Sequence, residues 1–172
     1  MTETLEQVGP RLPALARAAI VAALQGRALD PTGAGPAAPA FVTLRRADGT
    51  LRGCIGSLAP GEPSLTREVA RVAVLAATQD PRFPPLSADE LPGTSIEVSV
   101  LLPEQPIRGV EQLDPARFGV IVRDDAGRRG VLLPEVPGID SPHQQLQVAR
   151  RKAGIDEHAP VQLSRFAVRK FR

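Results

Sequence analysis

This chain has one thiol. Cys54 is its single cysteine and lies in Leu-Arg-Gly-Cys-Ile-Gly, residues 51–56. A thiol reacts as the thiolate, which a nearby cation stabilises. Arg52 stands two residues upstream, and side chains at i and i+2 of a strand project to one face. Gly53 and Gly56 flank the cysteine and allow a ligand or another backbone to come close. These features read as a nucleophilic or redox thiol. The competing reading is a small apolar core residue, the common state of a free cysteine. Both stand on sequence alone.

A nucleophilic thiol usually has a base. Only His143 and His158 are present. His143 falls in the first turn of a predicted helix, whose positive dipole end disfavours the imidazolium. Both also read as exposed histidines, and nothing pairs either with Cys54. Among carboxylates, Glu97 sits mid-strand between apolar residues. An acid there faces water or pairs with a cation, and Arg45 or Arg52 is the expected partner. Asp80 and Arg82 of Asp-Pro-Arg-Phe form a local pair, which reads first as a turn closing a helix. Two separated histidines, one cysteine and no HxxxH or CxxC pattern give no metal site. No GxGxxG after a strand and no P-loop signals a nucleotide cofactor.

The elements that must position these residues are legible. Leu12, Leu15, Ala19, Ala22 and Ala23 recur at helical spacing, which predicts a helix over 10–29. Residues 30–40, DPTGAGPAAPA, read as a flexible connection. Asp48-Gly49 between two β-prone runs predicts a hairpin. A two- or four-residue loop pairs Arg45 with Arg52, Leu44 with Gly53 and Thr43 with Cys54. One face then carries Val42, Leu44, Leu51 and Ile55. The other carries Phe41, Thr43, Arg45, Arg52 and Cys54. A three-residue loop would break this register.

Helix 64–79 follows, almost wholly apolar over VARVAVLAA, with Ser64 as N-cap. Three prolines in 80–86 force an extended or turning path, and Ser87 to Glu90 has a capping-box pattern that opens a short turn of helix. Residues 94–102 alternate as a half-buried strand. Residues 118–136 read as strand–turn–strand. Helix 141–154 has Ser141 as cap, Pro142 in its first turn, Gln144 three after the cap and Gly154 as its stop. A closing strand over 161–171 shifts parity and predicts a bulge near Ser164-Arg165. The order α-β-β-α-β-β-β-α-β, with hairpins predominating, predicts an α+β fold with a mainly antiparallel sheet. No internal repeat is visible.

Composition bounds the rest. The 172 residues suit one domain with room for a smaller lobe. With five Phe, no Trp and no Tyr, the core must be aliphatic, and a base-stacking surface for nucleic acid is poorly supplied. The net charge of +2 demands no polyanionic partner. The late basic cluster, from Arg128 to Lys170, reads as a solvated face. One cysteine, no signal peptide and no long apolar run predict a soluble cytoplasmic protein without membrane contact.

The blocks FVTLRRADGTLRGCIGSLAP, DPRFPPLSADEL, IEVSVL, GVLLPEV and ARRKAG, in that order, resemble the AMMECR-type domain, the family of AmmeMemoRadiSam system protein A. The resemblance covers residues 10–172, as a single domain. It implies an α+β fold with a larger and a smaller lobe and a cleft near the hexapeptide. It also implies Memo-like and radical SAM proteins as partners in a shared pathway. Arg52, Gly53, Cys54 and Gly56 match the hexapeptide; Asp80, Pro81, Arg82 and Phe83 match the DPRF block; Glu97 matches the strand block. His143 stands where the family commonly has an acid, and Glu135 where it commonly has Gln.

The expectation is an enzyme, or enzyme component, acting on a small molecule or peptide. Cys54, Arg52 and Glu97 would carry the chemistry, and Thr43, Arg45, Gly53, Gly56 and Arg82 would line the binding site. The alternatives are a non-catalytic scaffold with a structural hexapeptide hairpin, and a nucleic-acid-binding module.

Overall fold

A computed structural model describes residues 3–172. Its chain forms two compact units, the first running to Leu101 and regaining Arg169–Arg172, the second spanning Leu102–Val168. The fold is α+β with two four-stranded antiparallel sheets.

The first unit opens with α1 (Leu5–Val8), a 3₁₀ turn and α2 (Leu12–Leu24). The predicted single helix is thus shorter and preceded by a separate turn. Strands β1 (Ala40–Arg45) and β2 (Leu51–Gly56) lead to α3 (Leu65–Thr78) and then β3 (Ser95–Leu101). The sheet order is β2-β1-β3-β8, with β8 being Val168–Phe171. Val42 and Leu44 of β1 and Ile96, Val98 and Val100 of β3 meet Leu12, Ile20, Val69 and Val72 of α2 and α3 in an aliphatic core. The connection over 30–39 is irregular as expected, but it is anchored: the Thr66 hydroxyl accepts from the Ala34 amide and donates to the Thr32 carbonyl, both at 2.9 Å.

The hairpin departs from its predicted loop. Arg46 N–H donates to the Thr50 carbonyl, so Ala47, Asp48 and Gly49 form a three-residue loop. Gly49 takes φ +82, the positive value this turn needs. Arg45 therefore pairs with Leu51, not Arg52. The register then shifts, and Leu44 pairs with Gly53 and Thr43 with Cys54 as predicted. Arg52 is the extra residue of a β-bulge. The bulge compensates the odd loop and keeps the lower half of the register.

The second unit holds β4 (Gln105–Ile107), β5 (Gly119–Arg123), β6 (Arg129–Leu132), α4 (Pro142–Ala153) and β7 (Gln162–Phe166), with sheet order β4-β7-β5-β6. Helix α4 carries the predicted capping box at Ser141 and Gln144 and ends at Gly154 in the left-handed conformation. Strand β4 has no counterpart in the sequence reading, because three residues carry no period. The predicted 161–171 strand is two strands broken at Ala167 and belonging to different sheets; pairing is continuous through Ser164 and Arg165. The parity shift marks this change of sheet, not a bulge.

Each unit contains a hairpin followed by a helix, built alike. In the second, Asp124 N–H donates to the Arg128 carbonyl across another three-residue loop. Arg123 pairs with Arg129, Val122 with Gly130 and Ile121 with Val131. A Cβ on Gly53 would lie 2.3 Å from the Ala76 carbonyl oxygen of α3; one on Gly130 would lie 2.0 Å from that of Ala149 in α4. In both hairpins the glycine lets a helix backbone rest on the strand. The correspondence aligns Cys54 with Val131 and Thr43 with Ile121, and Arg52 is the residue the second hairpin lacks. The repeat is structural and escaped sequence inspection because the bulge offsets the two segments.

Gly53→Ala should lower stability by about 2–3 kcal/mol, because a backbone oxygen cannot yield as a side chain does. Gly93→Ala, where a Cβ meets nothing within 4 Å, should change it by less than about 0.5 kcal/mol. Urea denaturation of both variants checks this; equal midpoints would refute the packing argument.

Candidate functional site

Cys54 sits at the edge of its sheet, since β2 has only β1 beside it. An uncovered edge leaves backbone groups unpaired. At Cys54 they are taken by side chains from the turn after α3. Asp80 Oδ2 accepts from the Cys54 amide at 2.8 Å, and Arg82 Nη2 donates to the Cys54 carbonyl at 3.2 Å. Asp80 is buried, at 4% exposure. It also accepts from the Arg82 backbone amide at 3.0 Å and from Arg82 Nε and Nη2 at 2.9 and 2.7 Å. The Asp80–Arg82 pair is therefore the helix-closing turn read from sequence and also a surrogate strand. The Arg82 hydrogen bonds, aided by the Cys54 and Arg82 amides, hold the Asp80 carboxyl far below the usual carboxylate range against the opposing effect of burial.

Because the Cys54 amide and carbonyl point away from β1, Thr43 and Cys54 form the non-hydrogen-bonded kind of antiparallel pair. Side chains approach most closely in such pairs. Thr43 Oγ1 lies 3.3 Å from Cys54 Sγ, and the thiol is partly exposed. On the other side of β1, Thr43 pairs with Glu97 of β3. Cys54, Thr43 and Glu97 thus form one row across three strands, on the face opposite the core. Arg45 and Ser95 form the next row.

Arg52 is placed otherwise than predicted. The bulge puts Leu51 opposite Arg45, and Arg52 is buried, at 2% exposure. Its Nε and Nη2 donate to Glu90 Oε1 and Oε2 at 2.7 and 3.0 Å. A buried guanidinium is tolerated only when paired this completely. Glu90 also accepts from the Ser87 amide at 2.9 Å and from the Ser87 hydroxyl at 3.2 Å. The amide bond is one half of the predicted capping box; the other half is missing, because the Glu90 amide donates to the Ser87 carbonyl instead of the hydroxyl, and the turn leads into a single 3₁₀ turn over Leu91–Gly93. Phe83 lies between the two ion pairs, with the guanidinium carbons of Arg46, Arg52 and Arg82 at 5.8, 5.8 and 5.7 Å from its ring centre, within cation–π range. Gly56 makes room for Phe41, whose ring would stand 2.3 Å from a Cβ there.

Glu97 is bound by neither Arg45 nor Arg52. Arg172 Nε donates to its Oε2 at 2.6 Å. Arg45 is exposed and donates to the Gly49 carbonyl along the hairpin. A cavity of about 530 Å³ opens beside this face, and Thr43, Arg45, Ser95, Glu97 and Arg172 are in its wall. Sequence reasoning assembled Cys54, Thr43, Arg45 and Glu97 and missed what fixes them. Asp80 and Glu90 were visible only as local turn formers. Nothing in sequence tied Arg172 to Glu97. Both histidines fall in the second unit, and the unit holding Cys54 contains none.

Asp80→Ala should cost about 1–2 kcal/mol, since it leaves the Cys54 amide without its partner, while the exposed Arg82 guanidinium turns to water. Amide exchange at Cys54 should accelerate with it; unchanged exchange would refute the edge-covering role. Glu90 makes a separate pH prediction. The Arg52 hydrogen bonds first, then the Ser87 amide, lower its pKa from 4.5 to about 2. A depressed carboxyl contributes its stability above the unfolded value and loses it as pH falls through the folded one. The stability difference between wild type and Glu90→Gln should therefore be constant above about pH 4.5 and shrink toward pH 2. A difference independent of pH over that window would overturn the assignment.

The AMMECR1 family model matches residues 13–171. A Thermotoga maritima protein is 48% identical over 136 residues, covering 78% of each chain. A Clostridium acetobutylicum protein is 40% identical over 129 residues, which are 74% of this chain but 27% of that one. A Methanopyrus kandleri protein is 46% identical over 105 residues, 56% of this chain and 50% of its own. The chain thus spans half or less of two of these relatives. Among solved structures, an uncharacterised Pyrococcus horikoshii protein superposes with a TM-score of 0.78 at 32% identity, covering 94% of this chain and 89% of its own. A family model spanning nearly the whole chain, together with a solved relative of the same fold, places this protein in the AMMECR1 family.

Proposed function

We propose that this protein is an enzyme or enzyme component whose working group is the Cys54 thiol, on the polar face of the first sheet. The observation that carries the reading is the row Cys54–Thr43–Glu97. The second hairpin repeats the same framework with the apolar pair Ile121 and Val131 in place of Thr43 and Cys54. The framework therefore does not require a hydroxyl and a thiol there, and their presence points to chemistry.

Each group has a role in this reading. Cys54 is the nucleophile or redox thiol. Thr43 hydrogen-bonds the sulfur and orients it. Arg82, charge-paired with Asp80, holds the Cys54 carbonyl, so in place of the cation expected at Arg52 the thiol has a neutral ion pair fixing its backbone. The Arg82 pKa is raised above the ordinary arginine value, chiefly by the hydrogen bonds to Asp80, with a smaller contribution from the charge of an ionised Cys54. Asp80 and Arg52 are positioning residues, one fixing the strand edge and the other the bulge. Glu97 lies one strand beyond Thr43, where its carboxylate serves a substrate in the adjoining cavity. Memo-like and radical SAM proteins are the partners the family resemblance offers to such a component.

A scaffold reading has an observation of its own. Arg52, Gly53 and Gly56 all have packing duties, so a purely structural hexapeptide needs only an inert cysteine.

Alkylation separates the two. Native protein treated with iodoacetamide should be modified once, at Cys54, at a rate within about tenfold of a free cysteine, and Thr43→Val should slow it severalfold. Mass spectrometry showing no adduct until the protein unfolds would sink the thiol reading in favour of the scaffold.

A further inference from the structure

The cavity beside the thiol row has a chemical bias that the reactive residues do not explain. Its wall brings together three arginines, Arg17, Arg45 and Arg172, against one side-chain carboxylate, that of Glu97. Arg17 is committed to structure, donating to the Leu91 and Thr94 carbonyls. Arg172 meets Glu97 through Nε alone, and its side chain is 78% exposed. Glu97 is thus neutralised from within, while Arg172 keeps its two terminal nitrogens and Arg45, whose Nη1 donates to the Gly49 carbonyl, keeps the rest of its exposed guanidinium for a ligand. Thr43 and Ser95 add hydroxyl-bearing residues to the wall, and Pro13, Ala14 and Ile96 give it an apolar side.

We infer that this cavity binds a small organic anion. Arg45 and Arg172 receive its carboxylate or phosphate head, and its apolar body rests on Pro13, Ala14 and Ile96. Guanidinium is suited to such heads because its planar fork matches two oxygens at once. The site continues into the thiol row, because Thr43 both lines the cavity and touches Cys54 Sγ. The inference deepens the thiol reading by naming the substrate class, and it rests on that reading only for the step from ligand to substrate. Binding itself does not require a reactive sulfur.

The test is an NMR titration of the full chain at low salt, where exposed charges are least screened. The probes are benzoate and phenyl phosphate, with benzamidine as the cationic control. Both anions should shift the amides of Thr43 to Arg45 and Ser95 to Glu97, and the tighter one identifies the head group. Arg45→Glu, an exposed change, and the Arg45→Ala/Arg172→Ala pair should each weaken binding by about tenfold or more, while Arg67→Ala, remote from the cavity wall, should not. The inference is overturned if benzamidine shifts these amides as strongly as benzoate, if the arginine variants bind the anions like wild type, or if neither anion shifts them. Cys54→Ser should bind the anions unchanged. Anion binding with an unalkylated Cys54 would refute the thiol reading alone, and alkylation without anion binding would refute the anion site alone.

Discussion

Asp80 satisfies the exposed edge of a β-strand at the one residue where that edge carries a thiol. An edge strand in water solvates its outward N–H and C=O groups and can breathe away from its neighbour. Here a carboxylate and a guanidinium from one turn take the amide and the carbonyl of Cys54. Each partner is in turn held by the other. The Cα of Cys54 is thereby fixed from both sides, by β1 through its neighbours in the ladder and by Asp80–Arg82 directly. A partly exposed cysteine with a rigid backbone is what preorganised chemistry requires.

A second constraint sits two residues upstream. The three-residue loop and the bulge at Arg52 each shift the ladder by one, and together they cancel. Without the bulge, Cys54 would lose its pairing with Thr43. The bulge in turn needs somewhere to put its extra side chain, and the interior position it takes is costly for a charge. Glu90 answers that cost with two parallel hydrogen bonds, and Phe83 lies against the guanidinium. The second hairpin, with no extra residue, needs none of this apparatus. The DPRFPPLSADEL segment can therefore be understood as the support that one inserted arginine and one edge cysteine jointly demand.

Much of this arrangement is legible in the amino-acid sequence. Periodicity located α3, β3 and α4, and the chemistry of Ser141, Gln144 and Gly154 set the ends of α4. The pairing of Thr43 with Cys54 followed from the hairpin signal, and with it the face the thiol occupies. What sequence could not supply was the loop length, because Asp48-Gly49 suits loops of two, three or four residues alike. That ambiguity is a single residue, yet it decides whether Arg52 faces the thiol or the interior. The pairs Cys54–Asp80, Arg52–Glu90 and Glu97–Arg172 join residues 26, 38 and 75 positions apart. Such contacts are set by tertiary packing, and no local pattern encodes them. The bulge expected near Ser164-Arg165 has a related origin: a strand that changes sheet, as this one does at Ala167, and a strand that bulges produce the same break in alternation.

The polar face also explains why so many residues of the first sheet appear underused by the core. Val42, Leu44, Ile96 and Val98 already fill one side against α2 and α3. A sheet packed on one side needs only solubility from the other, and isolated charges would supply that. Instead the exposed side bears a thiol and a hydroxyl in contact, a carboxylate one strand further, and guanidiniums at the cavity wall. The ordering of Cys54, Thr43, Glu97 and Arg45 is by strand register, so each of these is placed to within the precision of the ladder itself. Moving any one of them by a residue would send it into the aliphatic core, where Thr43 or Glu97 would lack partners. Register specificity, enforced by the cost of burying polar groups on the wrong face, is therefore what keeps the Cys54–Thr43–Glu97 row intact.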